Sequence, residues 1–308
     1  MRIAIVGAGG VGGYLGGVLA QSPPNEVSFI ARGKHLEAIR TCGLQVKSVH
    51  GDFLINPARV SDDPSEVGEV DYIVVAVKHF QLTEAASMIK PLVGKGTTIV
   101  PLQNGVDAHE VLISFLGSEY VVGGFARIVS MIEAPGIIRQ PSMIREVYVG
   151  ELDKTRSERC QRIVNAWAEC GVEAIQPEDI SIPMWTKYLF MASYGGVSSL
   201  ARVPSGDLLN CPESRNMLVR AMEEVEALAR AKGIYLAADV VPTAMATLEN
   251  FEPATTSSTQ RDVAAGKPFE LEAFSGTVVR LGREVGMATP VHEMLYSLLR
   301  PQLLRAQS

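Results

Sequence analysis

Arg2-Ile3-Ala4-Ile5-Val6-Gly7-Ala8-Gly9-Gly10-Val11-Gly12-Gly13 decides how this chain is read. Arg2 to Val6 is a short apolar, β-rich run, which predicts a buried parallel strand. A helix follows from about Gly10 to Gln21 and is closed by Pro23-Pro24. Glu26 to Ala31 is the next strand, so these residues make one βαβ unit. The turn between strand and helix fits G-x-G-x-x-G, and it stands in the context that makes the motif informative. Gly7 permits the tight turn. Gly9 lets backbone approach a pyrophosphate whose charge is met by the helix N-terminus, and Gly12 lets helix and strand pack closely. With Gly10 and Val11 these residues form the candidate cofactor loop.

Arg32 narrows the choice of dinucleotide. A site for NAD usually carries Asp or Glu at the end of the second strand, to accept from the ribose 2′-hydroxyl. Here the strand ends Ile30-Ala31-Arg32, with Lys34 beyond and no carboxylate. An arginine fork can pair with the 2′-phosphate of NADP, so the expected cofactor is NADPH. Two further loops follow apolar strands, at Val77-Lys78-His79-Phe80-Gln81 and Leu102-Gln103-Asn104-Gly105. Ligands sit at such strand ends in parallel sheets, which makes Lys78, Gln81 and Asn104 candidate cofactor contacts.

Beyond this unit, strands are expected at Asp71–Val77 and Thr97–Leu102, each followed by a helix. Leu44 to Ile55 reads as a hairpin around Gly51-Asp52. Tyr120 to Gly150 is β-rich with a turn at Ala134-Pro135-Gly136, then come a helix at Ser157–Cys170 and a strand at Val172–Ile175. After Pro177 the pattern is helical throughout, with Gly233, Gly266 and Gly286 at expected helix ends. The fold class is therefore α/β: an N-terminal Rossmann-type domain over 1–177 and an all-helical domain over 178–308. The chain of 308 residues, 47% hydrophobic and 20% charged, has ample apolar sequence for two cores. Its net charge of −6 argues against a nucleic-acid partner. Seven glycines among the first twenty residues argue against a signal peptide, and no apolar run is long enough for a membrane span. Cys42, Cys160, Cys170 and Cys211 form no C-x-x-C pair and stand at no metal-ligand spacing. They read as thiols of a reducing cytoplasm, and no metal is expected. The long apolar helices of the second domain leave a homodimer face and a simple core as open alternatives.

Lys187 is the only charged residue from Ile180 to Ala201, among Trp185, Tyr188, Leu189, Phe190 and Met191. A lysine so placed is either a desolvated proton donor or a snorkelling side chain. A buried cation calls for a carboxylate, and Glu270 and Glu272 in Phe269-Glu270-Leu271-Glu272 both qualify. The alternative for each is an acid complementing a helix dipole. Ser257 and Ser258 precede another helix, one of them as a potential N-cap.

Taken together, these residues resemble the ketopantoate reductase (2-dehydropantoate 2-reductase) family. The resemblance covers nearly the whole chain. It rests on Gly7-x-Gly9-x-x-Gly12, Arg32, Ala76-Val77-Lys78 with Gln81, Gln103-Asn104-Gly105, Trp185-x-Lys187, and Ser257-Ser258 followed by Asp262 and Glu270. It implies a Rossmann-type domain plus a helical domain with the active site in the cleft between them. It also implies hydride transfer from NADPH to the ketone carbon of a 2-oxo acid, with 2-dehydropantoate, a precursor of pantothenate and coenzyme A, as the first candidate. Lys187 then matches the family's general acid, and Glu270 the acid that organises the closed site. Asn104 matches the amide near cofactor and substrate, and Ser258 a hydroxyl on the substrate carboxylate.

Three positions depart from the pattern. The family often has Asn four and eight residues after the lysine, where this chain has Met191 and Gly195, and Asn three residues before the serine, where it has Thr255. Loss of polar partners weakens discrimination for a substrate hydroxyl. Ser193, Tyr194, Ser198 and Ser199 are the residues available to compensate. The alternatives are a reductase of a less polar 2-oxo acid and a catalytically silent NADP-binding sensor. Further rivals are a dehydrogenase of 3-hydroxy or sugar acids and a flavin oxidase, the last without a second flavin motif.

Overall fold

The computed structural model describes residues 1–307. By packing, the chain forms two units: Met1–Asn104 with Ala108–Ile180, and Gly105–Asp107 with Ser181–Ser308.

The first unit begins β1 (Arg2–Val6), α1 (Gly10–Ala20), β2 (Glu26–Ile30), α2 (Gly33–Cys42). It continues β3 (Leu44–Ser48), β4 (Phe53–Ile55), β5 (Arg59–Ser61), β6 (Val70–Val75), α3 (Leu82–Met88), β7 (Val93–Pro101) and α4 (Ala108–Leu116). It ends with β8 (Gly123–Ile128), β9 (Met131–Ala134), β10 (Ile137–Gln140), β11 (Arg145–Gly150), α5 (Glu158–Glu169) and β12 (Glu173–Ile175). The main sheet is parallel, in the order β5-β2-β1-β6-β7. The order reverses at β1 and β6, the place where such sheets bind ligands. Both faces of β1 are buried, as a parallel sheet covered on two sides requires. Ile3 and Ile5 pack with Tyr14, Leu15 and Trp167, and Ala4 and Val6 with Leu82, Ala85 and Leu112.

Two smaller sheets complete this unit. One, β4-β3-β10-β9, contains the expected hairpin at 44–55 as an antiparallel β3–β4 pair. The other, β12-β11-β8, pairs β11 with β8 antiparallel and with β12 parallel. The three-residue β5 is not foreseen by periodicity. It is too short to show alternation, and its place is set by pairing with β2 through Ser28–Arg59 to Ile30–Ser61.

The second unit is helical: α6 (Ser181–Ala201), α7 (Ser205–Asn210), α8 (Pro212–Ala231), α9 (Val240–Glu249), α10 (Ser258–Ala264), α11 (Thr277–Glu284) and α12 (Pro290–Gln307). Gly233, Gly266 and Gly286 follow α8, α10 and α11 with φ of 76°, 62° and 68°, the left-handed geometry that ends helices. Leu271–Val285 is not one regular helix. It opens with a wide π turn at Glu272–Gly276, where the Gly276 N–H reaches the Leu271 carbonyl at 2.9 Å. His292 of α12 is fully buried. It donates from Nε2 to the Ala221 carbonyl (3.1 Å) and accepts at Nδ1 from the Ser275 hydroxyl (3.3 Å). Burial pushes this imidazole down to about 4.

Candidate active site

The glycine loop is built largely from backbone. Gly7 has φ +94°, and a Cβ there would stand 2.9 Å from the Val77 backbone nitrogen, so the β1 and β6 ends can approach only through a glycine. A Cβ on Gly12 would collide with the Gly7 carbonyl oxygen. Gly9 caps α1 with no side-chain hydrogen bond, and the first turn of α1 carries no acidic residue. A Cβ at Gly9 would meet nothing within 4 Å. An uncapped helix N-terminus beside open space at a switch point fits a dinucleotide pyrophosphate.

Gly10 and Val11 lie in the first turn of α1. The smallness of Gly10 has a packing cause: a Cβ there would collide with the Ser130 carbonyl, while the Ser130 hydroxyl donates to the Gly10 carbonyl at 2.7 Å. His35 supplies a second brace. Its Nδ1 accepts from the Gly136 N–H (3.0 Å), and its Nε2 donates to the Ala8 carbonyl inside the loop (2.8 Å). Burial lowers the pKa of this imidazole, against the opposing effect of the Ala8 bond. Sequence alone does not single out Ser130 or His35. A lone histidine in a helix's first turn carries no signal that its partners lie 27 and 101 residues away.

Arg32 stands at the end of β2 as the N-cap of α2. Its Nη1 donates to Glu84 of α3 at 2.7 Å. Lys78 and Gln81 follow β6 in one short helical turn, where the Lys78 N–H donates to Gln81 Oε1 at 3.3 Å. Buried Gln103 ties the ends of β6 and β7 together, donating to the carbonyls of Val75 (3.0 Å) and Val77 (3.2 Å). Asn104 follows it, partly buried. The loops carrying Gly7, Lys78 and Asn104 thus follow the carboxyl ends of β1, β6 and β7, three adjacent strands.

In the second unit, Lys187 is partly buried on α6, between the buried Met184 and Trp185 and the buried Tyr188 and Leu189. Of the two candidate acids, Glu270 is 7% exposed. Glu272 is exposed and is bonded to Arg300 and Tyr296 of α12. Ser257 is the N-cap: its Oγ accepts from the Gln260 N–H at 3.0 Å and lies 2.9 Å from Ser198 Oγ. That leaves Ser258, at the first position of α10, as the serine outside the cap.

Of the residues available to compensate for the missing amides, Tyr194 and Ser198 are engaged in the fold, while the buried hydroxyls of Ser193 and Ser199 have no hydrogen-bond partner among the described residues. Tyr194 donates to the Thr255 carbonyl (3.1 Å) and Ser198 pairs with Ser257, while Ser193 and Ser199 are fully buried. Thr259, which sequence does not flag, faces Gly195. A Cβ at Gly195 would stand 3.2 Å from Thr259 Oγ1. Among the described residues no group of three or more His, Cys, Asp or Glu is placed to hold a metal, and no helix is long and apolar enough to cross a membrane.

A parallel sheet with a glycine loop at its switch point, joined in one chain to a helical unit with a single lysine on its first long helix, fits the class of dinucleotide-dependent oxidoreductases. The family model described as ketopantoate reductase PanE/ApbA matches residues 3–154, and that for the family's C-terminal part matches 179–302. A 2-dehydropantoate 2-reductase of Mesorhizobium japonicum is 29% identical over 320 residues, covering 97% of each chain. The crystal structure of a 2-dehydropantoate 2-reductase from Geobacter metallireducens has a TM-score of 0.91 at 31% identity, covering 98% of this chain and 99% of that one. A ternary structure of D-mandelate dehydrogenase with NADH and anilino(oxo)acetate shares the fold, with a TM-score of 0.89 at 23% identity over all of both chains. The chain belongs to the ketopantoate reductase family and is an NAD(P)-dependent oxidoreductase.

Proposed function

We propose that this enzyme reduces a 2-oxo acid to the 2-hydroxy acid with NADPH, and that 2-dehydropantoate is the first substrate to test. The observation that carries the reading is Lys187, the single charged side chain on a long helix otherwise built of apolar and neutral residues. NADPH, when bound, supplies the hydride. Reduction places negative charge on the substrate's ketone oxygen. A fixed ammonium both stabilises that charge and provides the proton that quenches it. Glu270, buried where Glu272 is exposed, holds the lysine side of the site in order. Ser258 offers a hydroxyl to the substrate carboxylate, and Asn104 an amide to cofactor and substrate. Gly9, Gly10, Val11 and Gly12 offer backbone N–H groups to the pyrophosphate, while Gly7, whose own N–H donates to the Ile30 carbonyl (3.0 Å), provides the turn that brings the loop close to it. Arg32 with Lys78 and Gln81 meets the adenosine phosphate end.

A second reading, reduction of a less polar 2-oxo acid, is favoured by one pair of residues. Met191 offers no hydrogen bond, and the space beside Gly195 is taken by Thr259. The test is NADPH oxidation with 2-dehydropantoate beside 2-oxo acids bearing alkyl or aryl groups. A kcat/KM at least tenfold higher for 2-dehydropantoate supports the first reading. The reverse order selects the second, and no turnover with any 2-oxo acid defeats both.

A further inference from the structure

The guanidinium of Arg32 is held by α3. Nη1 donates to Glu84 Oε1 at 2.7 Å, and Nη2 points to Met88 Sδ at 3.2 Å. Both side chains of the ion pair are more than half exposed, so the pair is open to exchange with a ligand. The end of β2 carries no carboxylate of its own, yet Glu84 brings one to the same point from the first turn of another helix.

We propose that Glu84 is a selectivity-determining residue for the dinucleotide, and that it holds down the preference for NADPH over NADH. The inference rests on the reading of Arg32 as the 2′-phosphate contact. A carboxylate and a phosphate compete for the same donors, and the phosphate carries close to two negative charges at neutral pH. To engage Arg32, the 2′-phosphate of NADPH must share the fork with Glu84 or displace it, and it meets repulsion in either case. NADH has a neutral 2′-hydroxyl at that place. It gives up none of the Arg32–Glu84 pair and can itself donate to the carboxylate, the role an acid at the strand end plays in NAD sites. Because the pair is exposed and screened, the effect is modest, about three- to tenfold.

The test measures dissociation constants of NADPH and NADH by fluorescence titration, alongside kcat/KM for both, in wild type, Glu84→Gln, Glu84→Asp and Arg32→Ala. Glu84→Gln is expected to raise the NADPH/NADH affinity ratio by about three- to tenfold at low salt, less at high salt, with Glu84→Asp between it and wild type. Arg32→Ala is expected to collapse the ratio. If Arg32→Ala collapses the ratio while Glu84→Gln leaves it within twofold or lowers it, the role of Glu84 is overturned and that of Arg32 stands. If Arg32→Ala leaves the ratio unchanged, both fall.

Discussion

The proposed cofactor end and the proposed substrate end of this enzyme are made of different material. Around Gly7–Gly12 the chain uses backbone: a left-handed turn, an uncapped helix start, and packing that a single Cβ would disrupt. Around α6 and α10 it uses side chains: the Lys187 ammonium, the buried Glu270 carboxyl and a layer of hydroxyls in which Ser198 meets Ser257. The first kind of site is set by where atoms are absent, the second by which functional groups are present. A backbone site tolerates almost no change in shape. A side-chain site can change its chemistry by substitution, although at Gly195 even a Cβ would meet Thr259 Oγ1 at 3.2 Å.

The hardest test of this contrast is Lys187→Ala. If the second unit works through one functional group, kcat falls by about 10²–10⁴-fold, while the dissociation constant for NADPH, set in the first unit, stays within twofold. Near-normal turnover in stopped-flow or steady-state assays removes Lys187 from the chemistry.

Next comes pH. The His292 imidazole titrates near 6.5 when the chain is unfolded and near 4 when folded, because burial disfavours its charged form. The unfolded state therefore binds more protons between those values. Stability from this residue is complete above about pH 6.5, declines as pH falls through the window, and levels off below about 4, with a span of roughly 3 kcal/mol. Urea unfolding between pH 4 and 7 should show this slope, and His292→Gln should flatten it. An unchanged slope in the variant would assign the acid sensitivity elsewhere.

Two glycines separate shape from contact within the loop. Gly12→Ala forces a Cβ into the Gly7 carbonyl and should cost about 1–3 kcal/mol of stability. Gly9→Ala meets open space, so its melting temperature should match wild type while NADPH binding weakens at least tenfold, roughly the 1.4 kcal/mol of one steric conflict with the ligand. Equal loss of stability in both variants would contradict the distinction.

The smallest effect is expected at His35. Its two hydrogen bonds brace the loop from outside and are worth about 1 kcal/mol each. His35→Ala should raise the KM for NADPH several-fold with little change in kcat. His35→Gln, which keeps a donor and an acceptor, should recover part of the loss.

The same contrast governs how much of this molecule is legible in its sequence. The β1–α1 turn is local, so a dozen consecutive residues specify it, and the strand–helix alternation through Val100, apart from the short β5, follows from periodicity. The serines after Thr256 are equally visible, but their roles are not. Which one caps α10 depends on the backbone angles of Ser257, and its bond to Ser198 spans 59 residues. Glu270 and Glu272 look alike in sequence. A π turn and the Arg300 and Tyr296 side chains of α12 separate them, and neither has a sequence period. Gly105–Asp107 packs with the helical unit because Asp107 accepts from Thr277 Oγ1 (3.0 Å) and Arg280 (2.9 Å), partners that lie 170 and 173 residues away.

The close approach at Gly195 also favours an order of events. An asparagine placed there first brings its Cβ to 3.2 Å from Thr259 Oγ1, so the threonine side chain has to give by a few tenths of an ångström to accept it. Truncating Thr259 to alanine beforehand removes the Oγ1 that makes this contact and opens the space for the same asparagine, whereas serine would keep the crowding oxygen. The two positions are therefore coupled, and a route that alters Thr259 before Gly195 avoids the close contact.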